Sequence, residues 1–386
     1  REVQEHIWLT GGKIGVREGQ QLIKEGKFES RQAIALLVIT CLAKEFFTES
    51  NIIANKVGTA GWYMVLISAV VAAVGFAFVY ALLKRFPGKS IVEIYDVVFG
   101  RYIGFVFSFL LAAVLLISAA INLREYIEVI KIYVFPKTQP SFLIISFILV
   151  VVILGFLGFE NIARYSKLAA YLLLTEFIAL FLLSSYLFEF YRLYPLLGYG
   201  LKNTLLQGFL RSSIFGEITL VAVFVKSLNE TKEAKRIGYT SLIIAAVLLA
   251  IMQFGFILIF TYPFGQEIVA PLYTAASLIH YGAFFHRIEA MFLFVWNISI
   301  LIEIPVLFYM VMLIYSHLFG INDRRPIIIP LAIILITMSL IPGNILELMT
   351  FYIRYIREYS WIVYYVFPAA ALLVSVLSKK REDKYA

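Results

Sequence analysis

Residues 40–50, Thr-Cys-Leu-Ala-Lys-Glu-Phe-Phe-Thr-Glu-Ser, decide how this chain folds, because they place three charged side chains inside an apolar stretch over residues 31–55. The charged residues are Lys44, Glu45 and Glu49. In the middle of a membrane helix a Lys or Asp opposes insertion by about 2.5–3.5 kcal/mol, whereas a Leu or Phe favours it by only about 0.3–0.6 kcal/mol. We therefore expect the helix to be interrupted here and enclosed by other helices. The alternative is that the span ends near Ala43 and a loop follows.

A second polar interruption, Arg211-Ser-Ser-Ile-Phe-Gly-Glu217, lies within an apolar stretch over residues 209–227. Gly216 tolerates backbone angles that other residues resist, so the pattern predicts a second discontinuous helix. Alternatively, Ser212 and Ser213 hydrogen-bond to the preceding turn and only bend the helix.

The composition of the whole chain indicates which solvent these stretches face. Of 386 residues, 61% are hydrophobic and the mean hydropathy is +0.88, against roughly 45–50% apolar residues in soluble domains. These values indicate an integral membrane protein. The net charge of +8 comes mostly from Lys and Arg in short loops between apolar stretches, so nucleic-acid binding is not expected. Cys41 is the only cysteine, which excludes an internal disulfide.

Ten apolar stretches are candidates for membrane helices. Their cores lie near residues 31–55, 61–83, 101–132, 141–157, 168–188, 209–227, 238–261, 285–316, 326–341 and 361–378. Lys and Arg concentrate in the loops of one face, which predicts a cytoplasmic N-terminal segment (1–30) and a cytoplasmic C-terminal tail (379–386). The outer face receives few basic residues, among them Arg211 and Arg357.

The stretches form two sets of five with a similar order of short and long gaps, each start recurring roughly 180 residues later. Because five is odd, two tandem copies insert with opposite topology, which is the inverted repeat of several secondary transporters. We predict repeats at residues 31–190 and 191–378. Short amphipathic helices are expected after the second and seventh stretches, the first opening at a capping box of Ser90 and Glu93 and the second covering residues 263–281.

Matched discontinuous helices are the sequence pattern that best indicates a binding site at the membrane midplane. Their unpaired N–H groups and the positive end of a half-helix favour an anionic group such as a carboxylate. Polar candidates for ligand contact are Thr40, Lys44, Glu45, Ser212, Ser213, Glu217 and, in the eighth stretch, Asn297. Candidates for proton or ion coupling, or for a structural role, are Lys44, Glu176, Glu217 and Glu303. We also predict that Lys44 pairs with Glu217.

Other polar residues have simpler interpretations. Arg124 and Glu128 are spaced for an ion pair on one helix face, and we expect that face to be solvated. The sequence contains no metalloprotease, P-loop or serine-hydrolase motif, and its four histidines are scattered. We therefore expect no enzymatic activity, no metal site and no cofactor.

Four segments carry a family resemblance: Glu29-Ser-Arg-Gln32, Pro87-Gly-Lys-Ser-Ile-Val-Glu93, Phe215-Gly-Glu217, and Arg287-Ile-Glu-Ala-Met-Phe with Trp296. In order and spacing they resemble the spore germination permease family, the B subunits of germinant receptors, within the amino acid, polyamine and organocation transporter superfamily. The resemblance implies an all-α bundle of the LeuT type, with about ten transmembrane helices and interrupted first and sixth helices.

The same resemblance implies a function and partners. It implies recognition of a small germinant, commonly an amino acid, in a pocket near Ala43, Phe215 and Gly216. It also implies location in the spore inner membrane and assembly with an A-type subunit and a lipoprotein C-type subunit. The family usually has a glycine-containing break in the first helix, where this chain has Ala43, Lys44 and Glu45, so the ligand class and any sodium coupling stay open.

Three functions are compatible with these features. The first is a receptor subunit that binds a small metabolite and passes a conformational change to partner subunits. The second is a secondary, proton-coupled transporter of amino acids or amines. The third is an ion conduit opened by partner proteins. A fold by itself does not decide among them, because function resides in the site.

Overall fold

The computed structural model describes residues 27–44, 48–280 and 288–381, and every regular element in these ranges is a helix. The α-helices of the first half are α1 (Ser30–Ala43), α2 (Glu49–Val57), α3 (Gly61–Arg85), α4 (Ile91–Phe99), α5 (Arg101–Tyr133), α6 (Pro140–Leu157) and α7 (Phe159–Leu183). Those of the second half are α8 (Leu201–Leu210), α9 (Glu233–Ile259), α10 (Tyr262–Gly265), α11 (Pro271–Ser277), α12 (Ile288–Phe319), α13 (Arg325–Leu340), α14 (Ile345–Glu347), α15 (Arg354–Tyr359) and α16 (Phe367–Leu377).

Other helix types occupy parts of the second half. A 3₁₀ helix, Arg211–Ala222, continues directly from α8, and two π-helical turns, Leu348–Ile353 and Ile362–Val366, flank α15. Four shorter 3₁₀ turns lie at Gly58–Ala60, Ser185–Leu187, Phe190–Leu193 and Val225–Ser227.

Seven helical segments in the described residues are long and apolar enough to cross a membrane: Glu49–Arg85, α5, α6, α7, α9, α12 and Ile345–Leu377. The apolar helices α1 and α13 are shorter. The chain is therefore a multi-pass membrane protein that is all-helical over the described residues, and helices overlie all ten predicted stretches.

Three helical stretches begin well before their predicted starts, one of them with α8 at Leu201 instead of near residue 209. α7 begins at Phe159 instead of near residue 168, because Glu160 and Arg164 pair along one of its faces instead of interrupting it. The last helical stretch begins at Ile345 instead of near residue 361, because its charged residues also lie within helical turns. Charged residues near the starts of α7 and of the last helical stretch therefore do not mark where these helices begin.

Helical geometry is interrupted at the first predicted position. α1 ends at Ala43 with Lys44 as its C-cap, and Thr48, whose φ of −91° and ψ of 0° are not helical, precedes α2. Both interpretations predict that α1 ends at Ala43, and α2 continues through Gly58–Ala60 into α3 as one helical segment, Glu49–Arg85. The interruption of one membrane span therefore stays a prediction beside the alternative in which the span ends near Ala43. Glu45 lies outside the described residues.

The second predicted interruption is confirmed in a different form. The α-helical geometry of α8 ends at Leu210, and residues 211–222 follow as a single 3₁₀ helix of 12 residues. Such runs rarely exceed three or four residues, since their hydrogen-bond geometry is poorer, and mid-helix examples often mark hinges or strained sequence.

Several contacts between helices repeat when each membrane segment is replaced by the one five segments later. α1 packs against α9 while the 3₁₀ helix packs against α3, and α5 packs against α13 while α12 packs against α6. Likewise, α1 contacts α7 while the 3₁₀ helix contacts α15. Three further contacts join a segment directly to the one five segments later, so the exchange leaves them unchanged. They are α1 with the 3₁₀ helix, α3 with α9, and α5 with α12. Other contacts do not repeat: α1 packs against α12, whereas the 3₁₀ helix has no comparable contact with α5 in the described structure.

The capping box at the start of α4 is confirmed. Ser90 and Glu93 bond reciprocally, with Ser90 N donating to Glu93 Oε2 at 2.9 Å. Lys226 Nζ lies 2.5 Å from the other oxygen of Glu93. Although burial raises it, these hydrogen bonds and the lysine charge hold the pKa of Glu93 below the ordinary value of 4.5. The predicted segment over residues 263–281 contains the short helices α10 and α11.

Several charged residues are more deeply buried than predicted. Arg211 and Arg357, expected among the outer-face basic residues, are only 0% and 7% exposed. The pair of Arg124 and Glu128 is confirmed at 2.8 Å, but the expectation of a solvated face is wrong, since both are buried. Arg124 donates to the carbonyl of Gly343 just beyond the C-terminus of α13, where partial negative charge favours a cation.

Candidate functional site

Lys44 and Glu217 form a buried ion pair between the two interrupted helices. Lys44 follows the last residue of α1, and Glu217 lies in the middle of the 3₁₀ helix. The distance from Lys44 Nζ to Glu217 Oε2 is 2.5 Å, and the two side chains are 5% and 4% exposed. The predicted pairing is confirmed. It places opposite charges where both helices lose α-helical regularity.

A longer series of ion pairs lies beside it. Glu49, at the start of α2, pairs with Arg211 and with Arg357 Nη1, the latter at 2.6 Å. Arg357 Nη2 in turn lies 2.7 Å from Glu125 Oε2 of α5. We call Arg211, Glu49, Arg357 and Glu125 the ion-pair chain. It ties α2, the 3₁₀ helix, α15 and α5 together in a region with almost no solvent access.

Hydrogen bonds extend the ion-pair chain in two directions. Glu125 Oε1 accepts from the backbone N–H of Thr48 at 3.1 Å and from its hydroxyl at 2.5 Å, which anchors the residue before α2. On the other side, Arg357 Nη2 donates to Asn122 Oδ1 at 3.4 Å, and Asn122 Nδ2 donates to Glu303 Oε1 at 2.7 Å. Glu303 of α12 therefore joins the same network.

Some polar atoms of this network have no hydrogen-bond partner in the described structure. Among the described residues, Glu303 Oε2, Ser212 Oγ, and Nε and Nη1 of Arg211 are buried without a hydrogen-bond partner. An unsatisfied buried polar group costs about 1–3 kcal/mol, and more if it is charged. These atoms therefore leave unused hydrogen-bonding capacity within the network.

A small central cavity lies beside the Lys44–Glu217 pair. Its volume is about 20 Å³, which is room for roughly one water molecule. The polar side chains that line it are Lys44, Ser118, Asn122, Ser213, Glu217, Arg357, Ser360 and Tyr364. An amino acid would fit only if the walls moved apart.

Two further predicted contacts take part in the packing of the 3₁₀ helix. The hydroxyl of Ser213 donates to the carbonyl of Arg357, and the carbonyl of Ser212 accepts from the Tyr365 hydroxyl at 3.0 Å. Neither serine hydroxyl bonds to the preceding turn, so the interpretation of the serines as helix benders is wrong. Both residues instead connect the 3₁₀ helix to the last helical stretch.

Gly216 serves a purpose other than the predicted one. Its φ is not in the left-handed region, so backbone freedom does not explain it. A Cβ at this position would overlap the ring of Tyr364, which packs directly on the glycine. Tyr365 packs in the same way on Gly75 of α3. Adjacent tyrosines of one π-helical turn are thus seated on two glycines of different helices.

The remaining predictions divide into residues near the central cavity and residues away from it. Ala43 and Phe215 are fully buried at the two interruptions, and Thr40 donates to the carbonyl of Leu37 within α1. Asn297 does not line the cavity; it accepts from Tyr126 and donates to the carbonyl of Leu293. Glu176 lies on α7, does not line the cavity either, and has one buried oxygen without a partner in the described structure.

Sequence reasoning missed the residues supplied by the last helical stretch and by the middle of α5. Arg357 was assigned to an outer loop, and Glu125 and Asn122 were not selected. A signal was present: Ile353, Ser360 and Tyr364 are spaced like one helix face, and Arg357 falls on that face. The i, i+4, i+7, i+11 spacing of Ile353, Arg357, Ser360 and Tyr364 places the arginine on the same face as these three residues.

Sequence comparisons show which known proteins this chain resembles. The family model described as spore germination protein matches residues 27–347. Spore germination protein KB of Bacillus subtilis (strain 168) is 22% identical over 370 residues, covering 94% of this chain and 98% of that protein. Spore germination protein YndE of the same strain is 23% identical over 368 residues, with 92% and 97% covered. Spore germination protein A2, also of that strain, is 21% identical over 353 residues, with 91% and 94% covered.

Proposed function

Since this chain belongs to the spore germination protein family, we propose that it is the membrane-embedded subunit of a germinant receptor and binds a small germinant in a transporter-like pocket. The observation that carries the proposal is the buried Lys44–Glu217 pair between two interrupted helices. The two repeats are assigned to residues 31–190 and 191–378, in a LeuT-like arrangement. The exchange of helix contacts between the two halves supports that assignment.

The germinant is a zwitterion, that is, a free amino acid. Without ligand, Lys44 and Glu217 neutralise each other; in the bound form the ligand carboxylate pairs with Lys44 and the ligand ammonium with Glu217. Separating a buried pair leaves two uncompensated charges, which is strongly unfavourable. Only a ligand with both charges replaces both partners. A simple carboxylic acid or amine would leave one buried charge unpaired and bind weakly.

Ligand binding is coupled to the rest of the receptor through the ion-pair chain. The central cavity has to enlarge from about 20 Å³, which requires the 3₁₀ helix to move relative to α15. Ser213 and Arg211 connect the 3₁₀ helix to Arg357 and Glu49, and these in turn contact α5 and α2. The movement therefore reaches several helices, and A-type and C-type partner subunits in the spore inner membrane would respond to it.

The test is ligand-dependent thermal stabilisation of the full chain in lipid nanodiscs across a panel of amino acids. For an amino acid at a hundred times its Kd, binding adds about 2.7 kcal/mol to the free energy of unfolding. The N-acetylated and decarboxylated forms of the same amino acid serve as matched ligands, and neither should stabilise the protein. Equal stabilisation by all three forms would exclude the zwitterion.

Two variants separate folding from recognition. Lys44→Met should lower the free energy of unfolding by about 3–5 kcal/mol, because Glu217 stays buried without its partner. The double variant Lys44→Met/Glu217→Met removes both charges, so it should regain most of that stability while showing no response to amino acids. If amino acids stabilise the double variant as much as the wild type, the proposed site is wrong.

Liposome uptake distinguishes the receptor from a transporter. The purified chain should bind its amino acid without accumulating it when a pH gradient is imposed. Robust accumulation, abolished in the double variant, would make the chain a secondary transporter that uses the same site.

A further inference from the structure

A groove of about 320 Å³ lies between α1, α7 and α9. One face of α1 forms its floor, because Arg31, Ala35, Val38 and Leu42 recur every three or four residues and all contribute to the lining. From Ala35 to Leu42, on the C-terminal side of Arg31, the floor residues Ala35, Val38 and Leu42 are buried and apolar. We call this feature the acyl groove.

The walls of the acyl groove are apolar and its rim is open. α7 contributes Leu173 and Leu174, and α9 contributes Ile244 and Leu248. The rim residues Leu174 and Ile244 are 41% and 38% exposed, on helices long and apolar enough to span the membrane. The exposed side of the groove therefore faces lipid and is not an aqueous opening.

The length of the acyl groove matches one leaflet. From Arg31 to Leu42 the helix rises by about 16 Å at 1.5 Å per residue. The hydrocarbon core of a bilayer is about 30 Å thick, so the groove covers roughly half of it. An extended acyl chain from a single leaflet would fill it.

Positive charge is confined to one end of the acyl groove. Arg31 and Lys167 are its only charged lining residues, and both lie at the end nearest the first turn of α1. Glu29 Oε2 lies 3.9 Å from Lys167 Nζ, a long contact with an exposed carboxylate. In the described ranges no acidic side chain pairs with Arg31. Basic pockets between membrane helices bind anionic lipid head groups.

We propose that the acyl groove binds one acyl chain of an anionic phospholipid, with the phosphate held by Arg31 and Lys167. The acyl chain of the lipid lies along α1, whose last residue, Ala43, directly precedes Lys44. The bound lipid therefore stabilises the position of the helix that ends beside Lys44 of the Lys44–Glu217 pair. This lipid site does not depend on the proposed germinant function.

The test is native mass spectrometry of the full chain released from nanodiscs that contain phosphatidylglycerol and phosphatidylcholine. One phosphatidylglycerol should remain bound to the wild-type protein in preference to phosphatidylcholine. Arg31→Gln/Lys167→Gln should weaken its retention on the order of 30-fold, the factor expected for two basic groups near an anionic surface. Lys84→Gln/Arg101→Gln removes the same charge from two exposed positions outside the groove and should retain the lipid.

A second pair of variants tests the apolar part. Ala170→Phe fills the groove and should reduce retention without changing any charge. Leu168→Phe, at a position that is 64% exposed outside the groove, should not. Melting temperatures in phosphatidylcholine alone verify that each variant is folded.

Three results would overturn the proposal. The first is equal retention of both lipids by the wild type. The second is unchanged retention in the Arg31/Lys167 double variant or in Ala170→Phe. The third is displacement of the lipid by inorganic phosphate alone, which would make the basic end a simple anion site.

Discussion

Lys44 and Glu217 illustrate why a buried ion pair is informative at the scale of single residues. Each side chain alone is incompatible with the apolar interior, and together they are tolerated only with short, well-aligned contact. Such a pair adds little net stability compared with apolar residues of the same volume. It therefore suits a site that exchanges partners better than one that merely holds two helices together.

Gly216 allows a prediction at the same scale. Gly216→Ala should destabilise the protein by about 1–3 kcal/mol, because the added methyl overlaps the Tyr364 ring and forces repacking of the 3₁₀ helix. The measurement is the melting temperature in nanodiscs. Gly155→Ala is the matched control, since its nearest new contact would be an ordinary 3.5 Å from Phe308. A Gly216→Ala protein as stable as this control would show that the 3₁₀ helix is more plastic than the packing indicates.

At the scale of elements, the ion-pair chain explains how interrupted helices stay fixed. α2 has only nine residues and the 3₁₀ helix has weak backbone hydrogen bonds, so neither segment is stable by itself. Glu49 and Arg211 attach the two segments to each other, and Arg357 attaches both to α5. Side-chain pairing thus replaces the regular helix packing that the interruptions remove.

Arg357→Met tests this role. The substitution leaves Glu49 short of one partner and Glu125 without its arginine, so a loss of about 3–5 kcal/mol in the free energy of unfolding is expected. Arg354→Met, three residues away at a side chain that is 59% exposed, should change stability by less than about 1 kcal/mol. Thermal unfolding of the two proteins in the same lipid gives the comparison. Equal effects would refute a special role for the buried arginine.

The α4 linker has its own pH dependence. The pKa of Glu93 is depressed in the folded protein, so its contribution to stability is complete above the ordinary value of 4.5 and is lost as the pH falls through the lower, folded-state pKa. The melting-temperature difference between wild type and Glu93→Gln should therefore be constant near neutral pH and shrink below about pH 4.5. Circular dichroism melts across that range measure it. A difference that grows on acidification would contradict the assigned sign.

At the scale of the whole molecule, the distribution of basic residues predicts opposite exposure for two loops. A cysteine placed at Lys232 should lie on the cytoplasmic side of the membrane, and one placed at Lys137 should lie on the outer side. The native Cys41 is fully buried and should not be labelled. A membrane-impermeant maleimide applied to intact cells should label Lys137→Cys at once. Lys232→Cys should react only after permeabilisation. Labelling of both from the same side would refute the predicted topology.

Local sequence was sufficient for part of this structure. The apolar stretches, the two interruptions and the candidate pair of Lys44 with Glu217 were all predicted. A charged group inside an apolar helix carries a large solvation cost wherever it occurs, so its effect can be read from a few neighbouring residues.

Tertiary packing alone decided the rest. Arg357 pairs with Glu49 across 308 residues of sequence, and no local pattern records which buried charges will meet. The Tyr364 ring on Gly216, the burial of Arg211 and the small volume of the central cavity have the same origin. Each depends on distances between side chains on different helices, and those distances exist only after the helices have packed.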